Sequence, residues 1–429
     1  MMNLLAIIMI CNITLITCTI NPIHKENGVW FPGKGCGTTN EIKYLRNMPE
    51  DTTNLACTFV FTTHVPQDLG IEPKKTGGTS TSSPTGTRVM LVGGSVSGAN
   101  KNDMEIIDVE DSTYTCPKSD NKELKWADHN LNAGGGGLVR FGEGYMPFIC
   151  GGETNSRGKS DACYQLPSGA TEWQEDPTAK LNTKRRSLGY SVLGDKLVIS
   201  GGDKGGRTNV IDVVKPNEAA IELNSKLPTN VQDLCSVALS DSVLITMGGY
   251  TGSRITHTYI IDIDQDKVMR GPDMNLGRQW PACQKMVLGT KAYLVVTGGY
   301  STSIDDSTEF LDVDLLYDGS EIDWNKDYQA DGIKWTDNGP KLPQALYATR
   351  AISLSNSIYT MGGQTPDVSI GTNIFKLTCI GTIDSCSWNE IEGQTPGEKI
   401  SLRYGRKHHI IIPIEDSMAD HLCGNIIEK

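Results

Sequence analysis

The sequence has little of several features that would point to common functions. Positive charge is scarce, since 39 Lys and Arg stand against 51 Asp and Glu, giving a net charge of −12. Affinity for nucleic acid or anionic membrane depends on clustered positive charge, so neither is expected as a partner. After residue 20, no apolar run is long enough to cross a bilayer. GxSxG, HExxH, Walker-type and dinucleotide-binding motifs are missing, and no cofactor is predicted.

The cysteines also lack the CxxC spacing of zinc ribbons and thioredoxin-type sites. Residues 4–20 form an apolar run followed by polar sequence, which predicts a signal peptide over residues 1–19. The alternative, an uncleaved anchor, is disfavoured because the run is short and contains Asn12. Removing the signal leaves ten cysteines, an even number that predicts disulfides in a secreted, extracellular protein without a membrane span.

Glycine is in excess, with 46 residues, and the excess is ordered. Six short apolar runs each end in two glycines, and the first glycines lie 47 to 64 residues apart. Such a run predicts a buried strand, and two glycines allow a tight exit that a Cβ would obstruct. The pairs are Gly93 and Gly94, Gly151 and Gly152, Gly201 and Gly202, Gly248 and Gly249, Gly298 and Gly299, and Gly362 and Gly363.

Other elements recur in register with these diglycines. A second apolar segment follows each of four first glycines, at 105–109, 209–213, 259–263 and 310–313, and its aspartate lies 11 to 15 residues after that glycine. Its aspartates are predicted to form turns by bonding their own backbone: Asp108, Asp212, Asp262 and Asp312. Four units carry a strand with Trp: Trp126, Trp173, Trp335 and Trp388. Short strands in units of about 50 residues can bury their faces only against neighbouring units, which favours radial closure.

This pattern resembles the kelch repeat, whose diglycine follows the second strand and whose Trp lies in the fourth. The resemblance covers residues 88–414. It implies an all-β fold, a six-bladed kelch-type β-propeller with four antiparallel strands per blade. In kelch propellers, the loops that lead into the innermost strands and the loops after the diglycines form one face of the ring around the channel.

The first unit lacks an innermost strand, because a Gly/Ser/Thr-rich connector precedes its diglycine strand. The apolar segment 407–414 has no diglycine strand after it, so we predict that this C-terminal strand closes the first blade. Segment 57–65 is the alternative. The chain then divides into a signal peptide (1–19), an N-terminal cap and linker (20–87), the propeller (88–414) and a C-terminal tail (415–429).

Two disulfides are predicted from cysteines on successive strands of one blade, Cys150 with Cys163 and Cys379 with Cys386. In the cap, either Cys36 or Cys57 bonds Cys423, or the two bond each other. The run of glycines at 134–137 is interpreted as a flexible loop between blades.

Arginines and aromatic residues supply the candidate binding site. Six arginines fall in loops that lead into innermost strands: Arg185, Arg186, Arg278, Arg350, Arg403 and Arg406. Trp280 lies in one of these loops, and Tyr250 and Tyr300 follow diglycines. Arg, Tyr and Trp are typical of binding hot spots, and a basic mouth favours an extracellular protein or an acidic glycan as partner. The alternative is that the arginines bond backbone carbonyls between blades.

Enzymatic functions receive less support. A copper site like that of the galactose oxidase lineage would need two imidazoles that share a metal. His408 and His409 are adjacent and point to opposite faces of a strand. The Asp-rich segment after residue 261 departs from a calcium loop at Lys267 and Asp273. We therefore expect a non-enzymatic binding module. The alternatives are an extracellular structural or matrix protein and a secreted oxidase or glycan-acting enzyme.

Overall fold

The computed structural model divides the chain into two units, residues 1–71 and 72–429. It describes residues 87–424 apart from 97–98, 101–102, 117–123, 126–130, 156–157, 318–321, 368 and 395–396, together with four short strands before residue 32. In the first unit, β1 (Ile8–Cys11) pairs with β2 (Thr14–Thr17), and β3 (His24–Glu26) pairs with β4 (Val29–Phe31). The cap cysteines Cys36 and Cys57, the alternative strand 57–65 and Trp126 lie outside the described residues.

Six antiparallel sheets of the second unit form blades, numbered here as blades 1 to 6 in the chain order of their diglycines. Blade 1 contains β5 (Arg88–Val92), β8 (Asp103–Asp108), β9 (Thr113–Cys116) and β10 (Leu124–Lys125). After its diglycine, β6 (Ser95–Val96) and β7 (Ala99–Asn100) form a separate hairpin. Blade 2 contains β11 (Gly135–Phe141), β12 (Gly144–Cys150), β15 (Ala162–Gln165) and β16 (Gln174–Lys180). After its diglycine, β13 (Glu153–Thr154) and β14 (Gly158–Lys159) form a separate hairpin. Blade 3 contains β17 (Gly189–Leu193), β18 (Lys196–Ser200), β19 (Ile211–Val214) and β20 (Ile221–Glu222).

The remaining blades follow the same order from the innermost strand outward. Blade 4 contains β21 (Cys235–Ala238), β22 (Val243–Met247), β23 (Thr258–Asp262) and β24 (Lys267–Arg270). Blade 5 contains β25 (Ala282–Leu288), β26 (Lys291–Thr297) and β27 (Thr308–Asp312). Blade 6 contains β28 (Arg350–Leu354), β29 (Ser357–Met361), β30 (Ile374–Thr378) and β31 (Ser387–Glu390). The chain continues into β32 (Ile410–Ile414) and α1 (Asp416–Gly424), and two 3₁₀ turns span Val313–Leu315 and Ile383–Ser385.

The C-terminal strand closes the first blade, as predicted. β32 pairs antiparallel with β5, so that Ile410 lies opposite Val92 and Ile414 lies opposite Arg88. The innermost strands of neighbouring blades contact one another around the whole circle, including blade 6 with blade 1 and blade 1 with blade 2. The six-bladed propeller expected from the repeats is thus confirmed.

The core consists of six apolar clusters, one at each interface between neighbouring blades. Alternation along the strands produces this arrangement, because successive side chains point to opposite faces. On β5, Met90 and Val92 pack toward blade 2, whereas Val89 and Leu91 pack toward blade 6. Each diglycine strand is therefore buried on both faces, which explains its continuous apolar run.

Two blades depart from the expected four strands. In blade 1, β9 and β10 both pair with β8. In blade 5, the place of the fourth strand is taken by a short segment in which the Thr336 N–H donates to the Phe310 carbonyl at 2.9 Å. The preceding Trp335 is buried, and its indole N–H donates to the carbonyl of Pro272 at 3.0 Å. Trp335 thus fills a core position without belonging to a strand.

The glycine run at 134–137 is part of a strand, so its interpretation as a loop was wrong. Gly135 to Gly137 begin β11, the innermost strand of blade 2. A Cβ on Gly135 would lie 2.8 Å from the Cβ of Tyr190 in blade 3. The glycines therefore let blade 3 approach blade 2 closely, a tertiary requirement that local composition does not show.

Four disulfides lie within the described residues. Cys150–Cys163 and Cys379–Cys386 are the two predicted cross-strand bonds. Cys235–Cys283 joins the innermost strands of blades 4 and 5. The prediction for Cys423 was wrong: it bonds Cys116 on β9, because α1 directly follows β32 and stays against blade 1.

Candidate functional site at the channel mouth

One rim of the central channel is built from six equivalent loops, and we call this rim the mouth. In each blade, the residue after the diglycine forms an isolated antiparallel bridge with a residue just before the innermost strand. In all six blades, the residue after the diglycine lies at this rim, as expected from the repeats. The bridges join Ser95 with Lys407, Asn132 with Glu153, Arg186 with Asp203, Gln232 with Tyr250, Gln279 with Tyr300, and Tyr347 with Gln364.

A closed cycle of backbone hydrogen bonds runs around the mouth, and we call it the mouth ring. Its six members follow the inner bridge residues, and each has a φ between 50 and 62°. The N–H of each member donates to the carbonyl of the equivalent residue in the preceding blade, at 2.7–3.2 Å. The members are Ala133, Ser187, Asp233, Trp280, Ala348 and His408.

Aromatic side chains cover one side of the mouth ring. The rings of Trp280 and His408 lie 4.8 Å apart on either side of the small Ala348, and Tyr347 lies 5.5 Å from Trp280. The Lys407 ammonium lies 3.2 Å from the Tyr347 hydroxyl. These contacts join blades 5, 6 and 1 in one rigid surface that offers aromatic area and a cation to a ligand.

A second feature, which we call the Arg–Tyr ladder, extends along the mouth from blade 3 to blade 5. The guanidinium of Arg207 lies 5.5 Å from the centre of the Tyr250 ring. Arg254 follows, 5.8 Å from the Tyr250 ring and 4.5 Å from that of Tyr300. Both arginines are exposed, and neither forms an ion pair within the described residues. Their charges are therefore available to an anionic partner.

Two mouth groups are electrostatically unusual. Asp233 is buried, and its Oδ2 accepts hydrogen bonds from the side-chain amides of Gln232 at 2.8 Å and Gln279 at 2.7 Å. Burial raises the pKa of Asp233 to about 6. Burial, together with the charge of Arg350, lowers the pKa of His408 well below its ordinary value, so the imidazole is neutral.

Several buried polar atoms at the mouth have no hydrogen-bond partner within the part of the chain that the structure describes. They are Asn132 Oδ1, Asp233 Oδ1, Trp280 Nε1 and His408 Nδ1. Buried polar groups are normally satisfied by protein, water or ligand. The mouth thus combines exposed cations and aromatic faces with polar atoms that can still accept or donate.

Three of the predicted binding arginines instead hold blades together. Arg185, Arg278 and Arg406 are fully buried. Arg278 is representative, because its Nη1 donates to the Gly298 carbonyl at 2.8 Å and its Nη2 lies 3.0 Å from Glu309 of the same blade. Its own carbonyl accepts from the Gly249 N–H of the preceding blade at 2.7 Å. These three arginines are structural, as the alternative expected, but their side chains bond carbonyls and acids of their own blade rather than carbonyls between blades.

The other predicted residues are distributed between three places. Arg186, Trp280, Tyr250 and Tyr300 lie at the mouth, where Arg186 pairs with Glu153 and Asp203. Arg350 begins β28 and lines the channel. Arg403 lies over the Tyr404 ring at 5.2 Å, and its backbone N–H donates to Glu105. Sequence reasoning missed four mouth residues: Arg207, Arg254, Tyr347 and Lys407.

The turn-forming aspartates behave as expected in three of four blades. Asp108, Asp262 and Asp312 accept hydrogen bonds from backbone N–H groups two or three residues later. Asp212 instead bonds the side chains of Asn182 and Arg185. Within the residues the structure describes, no group of three or more His, Cys, Asp or Glu side chains is arranged to hold a metal ion.

Among these residues, moreover, no helix combines the length and apolar content that a membrane crossing requires. Comparison of the chain with protein-family models and with curated protein sequences gives no match.

Proposed function

We propose that this protein is a secreted, kelch-type propeller that acts as a non-enzymatic binding module, and that its mouth recognises an acidic segment of an extracellular protein. The observation that carries the proposal is the Arg–Tyr ladder. Its two guanidinium groups are exposed against tyrosine rings, and neither forms an ion pair within the described residues. In a chain with a net charge of −12, an unneutralised cationic strip is a local exception that favours an acidic partner.

The physical basis is preorganisation. Stacking against Tyr250 and Tyr300 limits the rotamers of Arg254, so less side-chain entropy is lost on binding. Each guanidinium can then form bidentate hydrogen bonds with a carboxylate. The tyrosine and tryptophan rings add rigid apolar area beside these charges, which is the composition of protein-binding hot spots.

Two supporting observations concern compartment and family. Four disulfides among the described residues fit an oxidising, extracellular environment. The kelch assignment is supported by the diglycine that ends the second strand of every blade and by Trp388 in a fourth strand. Signal-peptide cleavage remains a prediction from the apolar run at residues 4–20.

The test uses the double variant Arg207→Gln/Arg254→Gln as bait beside the wild-type protein. Extracellular fluid from the source organism is the prey, and captured species are identified by mass spectrometry. We expect a wild-type partner to bind the double variant at least about tenfold more weakly, because two charge-assisted contacts are lost. Higher salt should weaken wild-type binding as well.

The matched control is Arg140→Gln/Lys196→Gln, which removes two positive charges from the hairpins at the opposite end of the innermost strands. This variant should retain the partner. Equal retention by both double variants would contradict the mouth proposal and favour a structural protein that uses its outer blade edges. Loss of the captured species after glycosidase treatment, but not after protease treatment, would indicate an acidic glycan.

A further inference from the structure

The central channel carries positive charge that no acid among its described lining residues balances. It encloses about 510 Å³ and is lined by innermost strands from all six blades. Among the described lining residues, Arg350 and Lys285 are charged, and none is Asp or Glu. The volume lies within the range of small-molecule sites, roughly 300–1,000 Å³.

Arg350 extends across this channel. It starts on β28 in blade 6, and its guanidinium lies 5.6 Å from the centre of the Tyr190 ring on β17 in blade 3. Blades 3 and 6 face each other in a ring of six, so the side chain spans the channel. Its Nε donates to the His409 carbonyl of blade 1 at 3.1 Å. Within the described residues, this is its only hydrogen bond, which leaves both Nη atoms for a ligand.

The other buried arginines show what is missing around Arg350. Arg185 lies 2.8 Å from Asp212, Arg278 lies 3.0 Å from Glu309, and Arg406 lies 3.0 Å from Asp103. Arg350 is almost as buried, with 8% of its surface exposed, yet it forms no ion pair within the described residues. A buried charge without a partner is costly, and arginine does not escape that cost by losing its proton.

The groups around Arg350 do not supply a negative charge. Burial and the neighbouring positive charges lower the pKa of both His408 and His409, so these imidazoles are neutral. Burial raises the pKa of Tyr190, so its phenol is also neutral. Farther along the channel, the Lys285 ammonium donates to the carbonyl of Leu239 at 3.3 Å. An anion entering the channel would thus meet two cations in an otherwise uncharged wall.

We propose that the channel binds a small organic anion, whose carboxylate or similar oxyanion is held by the Nη atoms of Arg350 and whose apolar body lies along the channel toward Lys285. The apolar wall includes Val192, Val237, Ile352 and Ile411. This site lies below the mouth ring and does not depend on the Arg–Tyr ladder. Protein recognition at the mouth and anion binding in the channel are therefore separable.

The experiment measures binding of octanoate, its neutral isostere octanamide and inorganic sulfate by titration calorimetry at constant ionic strength. We expect saturable binding of octanoate by the wild-type protein, weaker binding of sulfate and none of octanamide. Arg350→Gln should weaken octanoate binding by about 10- to 100-fold, the loss expected for a charge-assisted contact. Arg254→Gln, at the mouth, should bind octanoate as the wild type does.

A second measurement uses the wild-type protein alone and does not depend on a variant folding. Phenylglyoxal modifies accessible arginines, and octanoate should slow the modification of Arg350, read from peptide masses, whereas octanamide should not. Equal octanoate binding by wild type and Arg350→Gln, equal binding of octanamide, tighter binding of sulfate, or no protection of Arg350 would each overturn the proposal.

Discussion

At the scale of single residues, Asp233 shows how position in the fold changes the chemistry of a side chain. It is one of six equivalent members of the mouth ring, and the other members are uncharged at neutral pH. Its carboxylate is buried and receives two amide hydrogen bonds, but no cation forms an ion pair with it within the described residues. Amide donors compensate only part of the lost hydration, so the protonated form is favoured.

The pH dependence of stability follows from this environment. The pKa of Asp233 is about 6 in the folded protein and 3.8 without the fold, so the folded state binds the proton more tightly. Its contribution to the free energy of unfolding should therefore fall by about 2 kcal/mol as pH rises from 4 to above 6. Asp233→Asn should remove this fall, measured by urea unfolding at pH 4, 5, 6 and 7.

The comparison for this prediction is Asp337→Asn, which changes an exposed carboxyl in blade 5. That variant should follow the wild-type profile at every pH. His408 affects stability in the opposite direction, because its lowered pKa reduces the free energy of unfolding as pH falls below about 6.5. Both proteins contain His408, so the difference between their profiles gives the contribution of Asp233 alone. Parallel profiles for wild type and Asp233→Asn would show that folding does not raise the pKa of this carboxyl.

At the scale of strands and loops, the diglycines act as contact points between blades. The first glycine of each pair faces the carbonyl of a residue in the next blade's lead-in loop. At Gly362, where φ is 60°, a Cβ would lie much too close to the Arg406 carbonyl. Gly142, in the hairpin between β11 and β12, has the same φ of 60° but nothing within 4 Å of its Cβ position.

Alanine substitutions at these two glycines distinguish the cost of backbone strain from the cost of a close contact between blades. Gly142→Ala should cost about 1–2 kcal/mol of unfolding free energy, because a Cβ disfavours positive φ. Gly362→Ala should cost a further 1–3 kcal/mol or so, because the carbonyl of blade 1 must also move. Chemical denaturation of both variants measures the difference. Equal losses would mean that the lead-in loop adjusts without cost.

The strands could be predicted because their signals repeat in register, whereas features found in one blade could not. Trp335 indicates a buried position in blade 5, but tryptophan at that place does not determine whether its neighbours pair as a strand. The glycines of β11 have loop-like composition, and the close approach of Tyr190 to Gly135 and of Val192 to Gly137 shows why a strand uses them here. Local sequence predicts local preference, and tertiary contacts overrode it at both places.

The binding site was predicted less completely, for a geometric reason. Arg185 and Arg186 are adjacent, yet one is fully buried between blades and the other reaches the mouth. A shift of one residue in an extended segment reverses the direction of a side chain. The Arg–Tyr ladder did carry a signal, since Arg207 and Arg254 each lie five residues after the second glycine of their pair.

At the scale of the whole molecule, the two ends of the propeller are joined in blade 1. β32 supplies its innermost strand, and Cys423 in α1 is bonded to Cys116 across 307 residues of sequence. By contrast, Cys379–Cys386 closes a short hairpin of blade 6, with a sequence separation of 7. A crosslink restricts the unfolded chain more strongly when the loop that it closes is longer.

Removal of the long-range disulfide should therefore cost more than removal of the short one. Cys116→Ser/Cys423→Ser is expected to lose about 2–5 kcal/mol of unfolding free energy, and Cys379→Ser/Cys386→Ser should lose less. Thermal and urea unfolding of both double variants give the comparison. A smaller loss for the Cys116 and Cys423 pair would show that β32 and α1 hold blade 1 closed without the crosslink.

The mouth ring has a mechanical consequence for the molecule. A circuit of six links that returns to its starting point has no terminus from which it can unravel, and displacement of any one blade strains the links on both of its sides. The aperture consequently has a circumference fixed by all the blades together. A ligand seated there meets a frame of constant dimensions, and the whole circumference shares the load that it imposes.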